Sequence, residues 1–169
     1  SYQKADLPEQ TDLSLLDYAD TATDCTMEKG SEGITVSNLG ADPNVVFPGV
    51  ASCFADNDKL YGLSLTVDAP DETEMAVYYQ TEGDEGFSAE KVYTFKVTED
   101  NRTWEHLVPG GITELRVDVS SPVESAVINN FELKSCDITE SGYTALKESG
   151  ADEVTFSDST YQAQVTNDA

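Results

Sequence analysis

The stretch Glu114-Leu115-Arg116-Val117-Asp118-Val119 decides the fold class. Leu115, Val117 and Val119 fall on one side of an extended chain, and Glu114, Arg116 and Asp118 on the other. Successive side chains of a strand point to opposite faces, so this alternation describes a strand with one face on a core and one in water. Outward from it, period two recurs. Towards the N-terminus, Tyr93, Phe95 and Val97 share a face, as do Met75, Val77 and Tyr79, and Leu63, Leu65 and Val67. Gly33–Leu39 and Asn44–Phe47 read as two shorter strands. Towards the C-terminus, the run Ala126–Lys134 places Val127, Asn129, Phe131 and Leu133 on one side.

Turn residues punctuate these runs: Gly30 to Gly33, Asp42-Pro43, Asp56 to Asp58, Ala69-Pro70-Asp71, Gly83 to Gly86, Pro109-Gly110-Gly111 and Ser121-Pro122. Only Leu13–Tyr18 and Tyr143–Ser149 offer single helical turns. Short strands at regular spacing, without an amphipathic helix, predict an all-β protein: an antiparallel β-sandwich, with a jelly roll preferred. The sandwich is expected over residues 1–136. Residues 137–169 read as a linker at Ser141-Gly142 followed by two alternating runs, Glu153–Phe156 and Tyr161–Val165. These are either the start of a truncated second copy or an extra edge strand on the same sandwich.

The chain has 169 residues, enough for one substantial core and short for two. Nine basic residues against 33 acidic ones give a formal net charge of -24. Phosphate backbones and anionic head groups both need clustered Lys and Arg, so nucleic acid and anionic membranes are excluded as partners. No apolar run approaches the roughly 18 residues that span a bilayer, so this segment does not insert directly in a membrane. Ser1 to Gln10 read as mid-protein sequence, with targeting and anchoring segments expected elsewhere. Cys25, Cys53 and Cys136 lack metal-site spacing. One disulfide, Cys25–Cys136, and three buried thiols are the alternatives.

Residues 75–133 carry a resemblance. The order is a strand Val77-Tyr78-Tyr79-Gln80-Thr81, an acidic Gly-rich loop ending Gly86-Phe87-Ser88, and a strand Lys91–Val97. Then follow Trp104, the Pro109-Gly110-Gly111 turn, Ile112–Asp118 and a closing Asn129-Asn130-Phe131-Glu132-Leu133. This resembles the jelly-roll, carbohydrate-binding-module-like domains appended to bacterial membrane glycosyltransferases and other polytopic envelope proteins. Where that family shows Asp-Pro after the arginine-bearing strand, this chain has Val119-Ser120-Ser121-Pro122. The resemblance implies a domain on the extracellular or cell-surface side of a larger bacterial membrane protein. Its partners would be the remainder of that parent protein and a cell-wall or capsular polysaccharide.

Catalytic chemistry finds little to work with. His106, the single histidine, has no serine in a Gly-x-Ser-x-Gly setting, and no phosphate-cradling glycine loop occurs. The acidic residues are too numerous for any pair to stand out as glycosidase carboxylates. The chain is therefore read as no enzyme. Sugar binding needs aromatic faces to stack on pyranose rings, with polar groups beside them. Tyr78, Phe87, Trp104 and Tyr61 are the candidates. Tyr78 leads because it points away from core-directed Met75, Val77 and Tyr79. Asp56-Asn57-Asp58 begins like a calcium loop, but its sixth position lacks Gly and its twelfth is Val67, which excludes an EF-hand. Asp56 and Asp58 remain candidates for a structural Ca2+ of the sandwich type. Asn101-Arg102-Thr103 matches a glycosylation sequon, relevant only in a eukaryotic secretory pathway. The alternative to glycan binding is a spacer or protein-interaction module with no sugar site.

Overall fold

The computed structural model describes the backbone of residues 2–6, 12–120, 124–139, 151–156 and 162–167, and the side chains of residues 13–120 and 124–133. The turn read at Ser121-Pro122, the linker at Ser141-Gly142 and the helical turn read at Tyr143–Ser149 lie outside the described residues, as does the Cys136 side chain.

Fourteen strands are described: β1 (Tyr2–Asp6), β2 (Asp12–Ser14), β3 (Thr21–Thr23), β4 (Thr26–Gly30), β5 (Gly33–Ser37), β6 (Asn44–Phe47), β7 (Lys59–Asp68), β8 (Thr73–Thr81), β9 (Val92–Val97), β10 (Thr103–Pro109), β11 (Ile112–Val119), β12 (Ser125–Thr139), β13 (Ala151–Phe156) and β14 (Gln162–Asn167). Two short 3-10 turns, Leu16–Tyr18 and Ala51–Phe54, interrupt them. The first sheet runs β10-β7-β12-β5-β4, with β2 also on β12, and the second runs β3-β6-β11-β8-β9. The strand pairs of both sheets are antiparallel. From β5 to β12 the chain passes repeatedly between the two sheets, and the expected antiparallel jelly-roll sandwich is what it forms.

The alternating residues supply the core. Ile34, Val36, Leu63, Leu65 and Val67 from the first sheet meet Val45, Phe47, Met75, Val77, Leu115, Val117 and Val119 from the second. Strand β12 departs from simple alternation. Its core residues are Ala126 and Ile128, then Phe131 and Leu133, while Asn129 is exposed. The expectation that Val127 and Asn129 share a face with Phe131 is therefore corrected. The cause is a bulge: Ile128 pairs with Val67 but Asn130 with Thr66, so the extra residue flips the faces between them. The bulge sits where β12 changes neighbours, from β5 at Ser125 to Ile128 to β2 at Glu132 to Lys134. Gly33 opens β5 at this point with φ +124°, and a Cβ there would lie 2.0 Å from the Ile128 carbonyl oxygen.

The N-terminal and C-terminal strands form a separate three-stranded sheet in the order β1-β14-β13. The second alternating run of the tail thus pairs with the first strand of the chain, and the first run pairs with the second. Because β12 continues to Thr139, the boundary expected at residue 136 falls inside a strand. Cys25 is a free thiol whose Sγ donates to the Asn44 carbonyl at 3.5 Å, so the Cys25–Cys136 disulfide is not formed. Cys53 is likewise free.

Candidate functional site

The two sheets differ in what they show to the outside. On the first, the outward positions of β7 and β10 include Leu60, Ser64 and Leu107, and all three are buried. On the second, the outward positions are mixed: Arg116, Tyr78 and Thr94 keep some exposure, while Asn44 and Asp118 are buried. Two rows cross this outer face in register. One reads Thr21, Val46, Arg116, Tyr78, Val92, and the next reads Thr23, Asn44, Asp118, Ala76, Thr94. Alternation dictates that Tyr78 points outward, since its neighbours Val77 and Tyr79 face the sandwich interior.

The register then places Arg116 beside Tyr78. The guanidinium carbon lies 4.2 Å from the centroid of the Tyr78 ring and 5.1 Å from that of Phe87. Arg116 also reaches along its own strand, with Nε donating to Asp118 Oδ1 at 2.7 Å and a terminal nitrogen donating to Oδ2 at 3.1 Å. A planar fork of this kind suits both a carboxylate and two aromatic faces. Burial pushes the Asp118 carboxyl above its ordinary value, against the pull of the Arg116 hydrogen bonds. Next to this stack, Gln80 Nε2 donates to Glu114 Oε2 at 3.0 Å.

The loop carrying Phe87 is tied down by Asp84. Its Oδ2 accepts from the Thr81 amide at 2.9 Å and from Lys91 Nζ at 2.6 Å. The Lys91 ammonium and the Thr81 amide hold this carboxyl below its ordinary value. Phe87 is half-buried against Arg116, which makes it an anchor for the loop.

On the Tyr78 side lies a groove of ≈ 620 Å³, whose lining includes Tyr78, Ala76, Asp42, Glu74, Lys96 and Asp118, together with Phe95 and the hydroxyl-bearing Thr94 and Ser120. Small Ala76 leaves the room, and Tyr78 forms the aromatic wall. The groove can hold an uncharged polar ligand by ring stacking at Tyr78 and hydrogen bonds to carboxylates and hydroxyls. Among the described residues that line it there is no histidine or cysteine.

The other residues singled out from sequence lie elsewhere. Tyr61 is 5% exposed, stacked edge-on to Phe54, and its hydroxyl accepts from the Asp56 amide. It offers no ring face to a ligand, and its shared parity with Leu63 and Leu65 is the reason. Trp104 packs flat on Phe95, with ring centroids 4.9 Å apart and planes at 8°. Tyr93, Tyr79 and His106 continue this cluster, which closes the flank where edge strands β9 and β10 meet. His106 sits 4.7 Å from the Tyr93 centroid, with Nδ1 2.7 Å from the Leu107 carbonyl, and does not line the groove. Asp56 Oδ1 accepts from the Asp58 amide at 2.9 Å. Among the described residues no group of three or more His, Cys, Asp or Glu side chains gathers that could hold a metal ion. Sequence reading missed Arg116 and Asp118 as site residues. The outward parity of both was visible, but their position against Tyr78 and Ala76 depends on the pairing of β8 with β11.

Arg116→Ala is expected to cost about 2–3 kcal/mol of stability at neutral pH, because it strands a largely buried carboxylate. The pH dependence has a fixed sign. The folded-state pKa of Asp118 is raised, so its favourable contribution is present below the ordinary carboxylate range and is lost as pH rises through the folded value. Removing Arg116 raises that value further. Urea titrations should therefore show the deficit of the variant shrinking between pH ~7.5 and pH ~4. A deficit that grows on acidification would rule out this account.

Similar solved structures share the fold. A low affinity xylan binding module (CBM86) from Roseburia intestinalis superposes with a TM-score of 0.54 at 10% identity, over 77% of this chain and 97% of that one. The BiXyn10A CBM1 module in its apo form gives 0.52 at 10% identity, over 75% and 99%. The second N-terminal cellulose-binding domain of a Cellulomonas fimi β-1,4-glucanase gives 0.50 at 15% identity, over 78% and 98%. At these identities the likeness shows the sandwich fold alone. No protein-family model matches the sequence, and no curated protein matches it.

Proposed function

We propose that this chain is a non-catalytic glycan-binding module that holds a sugar chain along the outer face of its second sheet. The observation that carries the reading is Tyr78, an outward ring braced on one side by Arg116 and lining a groove with hydroxyls and carboxylates beside it. Stacking with flanking hydrogen bonds is how a protein grips a neutral, hydroxyl-rich ligand without covalent chemistry. The groove volume is in the range of ordinary ligand sites. The fold shared with modules named for xylan and cellulose binding supports the same reading. The module would work outside the cytoplasm, as part of a larger envelope or membrane protein, on a cell-wall or capsular polysaccharide. The resemblance described above supports that setting.

The test is a glycan-array screen of wild type and Tyr78→Ala, with and without calcium. The expected result is calcium-independent binding to at least one neutral polysaccharide, weakened tenfold or more in the variant, about 1.4 kcal/mol or above. Wild-type levels of binding by Tyr78→Ala would move the site off this face.

A second reading, a spacer or protein-docking module, is favoured by one observation. Among the described residues two aromatic rings line the groove, and of these Phe95 is stacked on Trp104, which leaves Tyr78 as the outward ring, while Phe87 is engaged by Arg116 and Tyr61 packs elsewhere. Silence of the wild type across the array would select it.

A further inference from the structure

We infer that the groove selects its sugar by charge, accepting uncharged chains and rejecting those that carry uronate or sulfate groups. This inference rests on the glycan reading of the same groove and adds the chemical class of the ligand. Three carboxylates line it, those of Asp42, Glu74 and Asp118, against the single ammonium of Lys96. That ammonium is already engaged, with Nζ 2.9 Å from Glu72 Oε1, and Glu74 adds to the negative field around it. The nearest further cation, Arg116, is spent on Asp118 and on the faces of Tyr78 and Phe87. An acidic sugar stacked on Tyr78 would thus meet carboxylates, and among the described residues lining the groove the one cation, Lys96, is already paired. A neutral sugar loses nothing by the same arrangement, since carboxylates accept hydrogen bonds from its hydroxyls.

The formal net charge of -24 would also repel a polyanion from any part of the surface, so the experiment must separate local from global charge. Neutral oligosaccharides (xylan-, cellulose- and mannan-derived hexamers) and hexagalacturonate are titrated against wild type at low and high salt. They are then titrated against Asp42→Asn/Glu74→Gln and against Glu28→Gln/Glu32→Gln. Both variants remove two charges, the first in the groove and the second at the exposed β4–β5 hairpin of the other sheet. The expected result is at least tenfold weaker binding of the uronate than of the best neutral hexamer at low salt. The groove variant should narrow that gap several-fold, and the hairpin variant should leave it unchanged. Equal binding of uronate and neutral hexamers by wild type overturns the inference, as does an equal narrowing by the two variants. If no hexamer binds in a Tyr78-dependent manner, the glycan reading itself fails, a result distinct from either of those.

Discussion

Gly33→Ala is expected to lower stability by about 3–4 kcal/mol, an effect far outside that of an ordinary surface substitution. The added methyl would lie 2.0 Å from the Ile128 carbonyl oxygen and 2.9 Å from both the Ile128 carbonyl carbon and the Asn129 Cα, all backbone atoms. A flexible side chain could swing away from such a clash, but β12 cannot, because it is hydrogen-bonded on both sides around the bulge. The φ of +124° adds strain of its own for any residue with a Cβ. Gly30, opposite Gly33 in the same hairpin, is the internal control. Nothing lies within 4 Å of its added Cβ, so Gly30→Ala should change stability by less than about 1 kcal/mol. Chemical denaturation of the two variants side by side reads the difference. Equal midpoints would show that the close approach at the bulge does not constrain the fold.

Phe131→Ala should cost about 3–5 kcal/mol. The ring is fully buried and meets Phe47 edge-on across the sandwich, with centroids 5.0 Å apart and planes at 73°. Truncation removes the area of the ring from the core and leaves a cavity between strands that cannot collapse, since each is fixed in a ladder. Phe131→Leu should lose less than about 1.5 kcal/mol, because most of the volume stays filled. A double-mutant cycle with Phe47→Leu should return a coupling of about 0.5–1.5 kcal/mol, the worth of the aromatic pair beyond simple burial. A coupling near zero would mean that the two rings contribute only as volume.

Residues with strict period two announced themselves. The alternation around Leu115, Val117 and Val119 marks a strand with its inner and outer faces assigned, and the same rule correctly turned Tyr78 outward. It applied equally to Tyr61, whose parity with Leu63 and Leu65 already pointed it inward. Three features were not legible. The bulge at Asn129 flips the faces of β12, yet no residue there is peculiar to bulges. Strand β4 is an exposed edge whose Thr26-Met27-Glu28-Lys29-Gly30 has no apolar rhythm to reveal it. The Tyr78, Arg116 and Phe87 stack depends on a pairing between strands more than 30 residues apart, and local pattern carries no record of register.

The position of β12 has a consequence for how the chain is made. It is the middle strand of the first sheet, with β7 on one side and β5 and β2 on the other, and it follows all three in the chain. During synthesis β2, β5 and β7 emerge first and wait, each lacking the partner that will satisfy one of its edges. Closure of that sheet is therefore a late, non-local event, the kind that makes folding slow and leaves edges open to wrong partners. A ribosome that stops before residue 125 releases two half-sheets separated by the gap that β12 would fill. Acidic residues are spread along the whole chain, and mutual repulsion of this kind opposes association of such incomplete copies until β12 arrives.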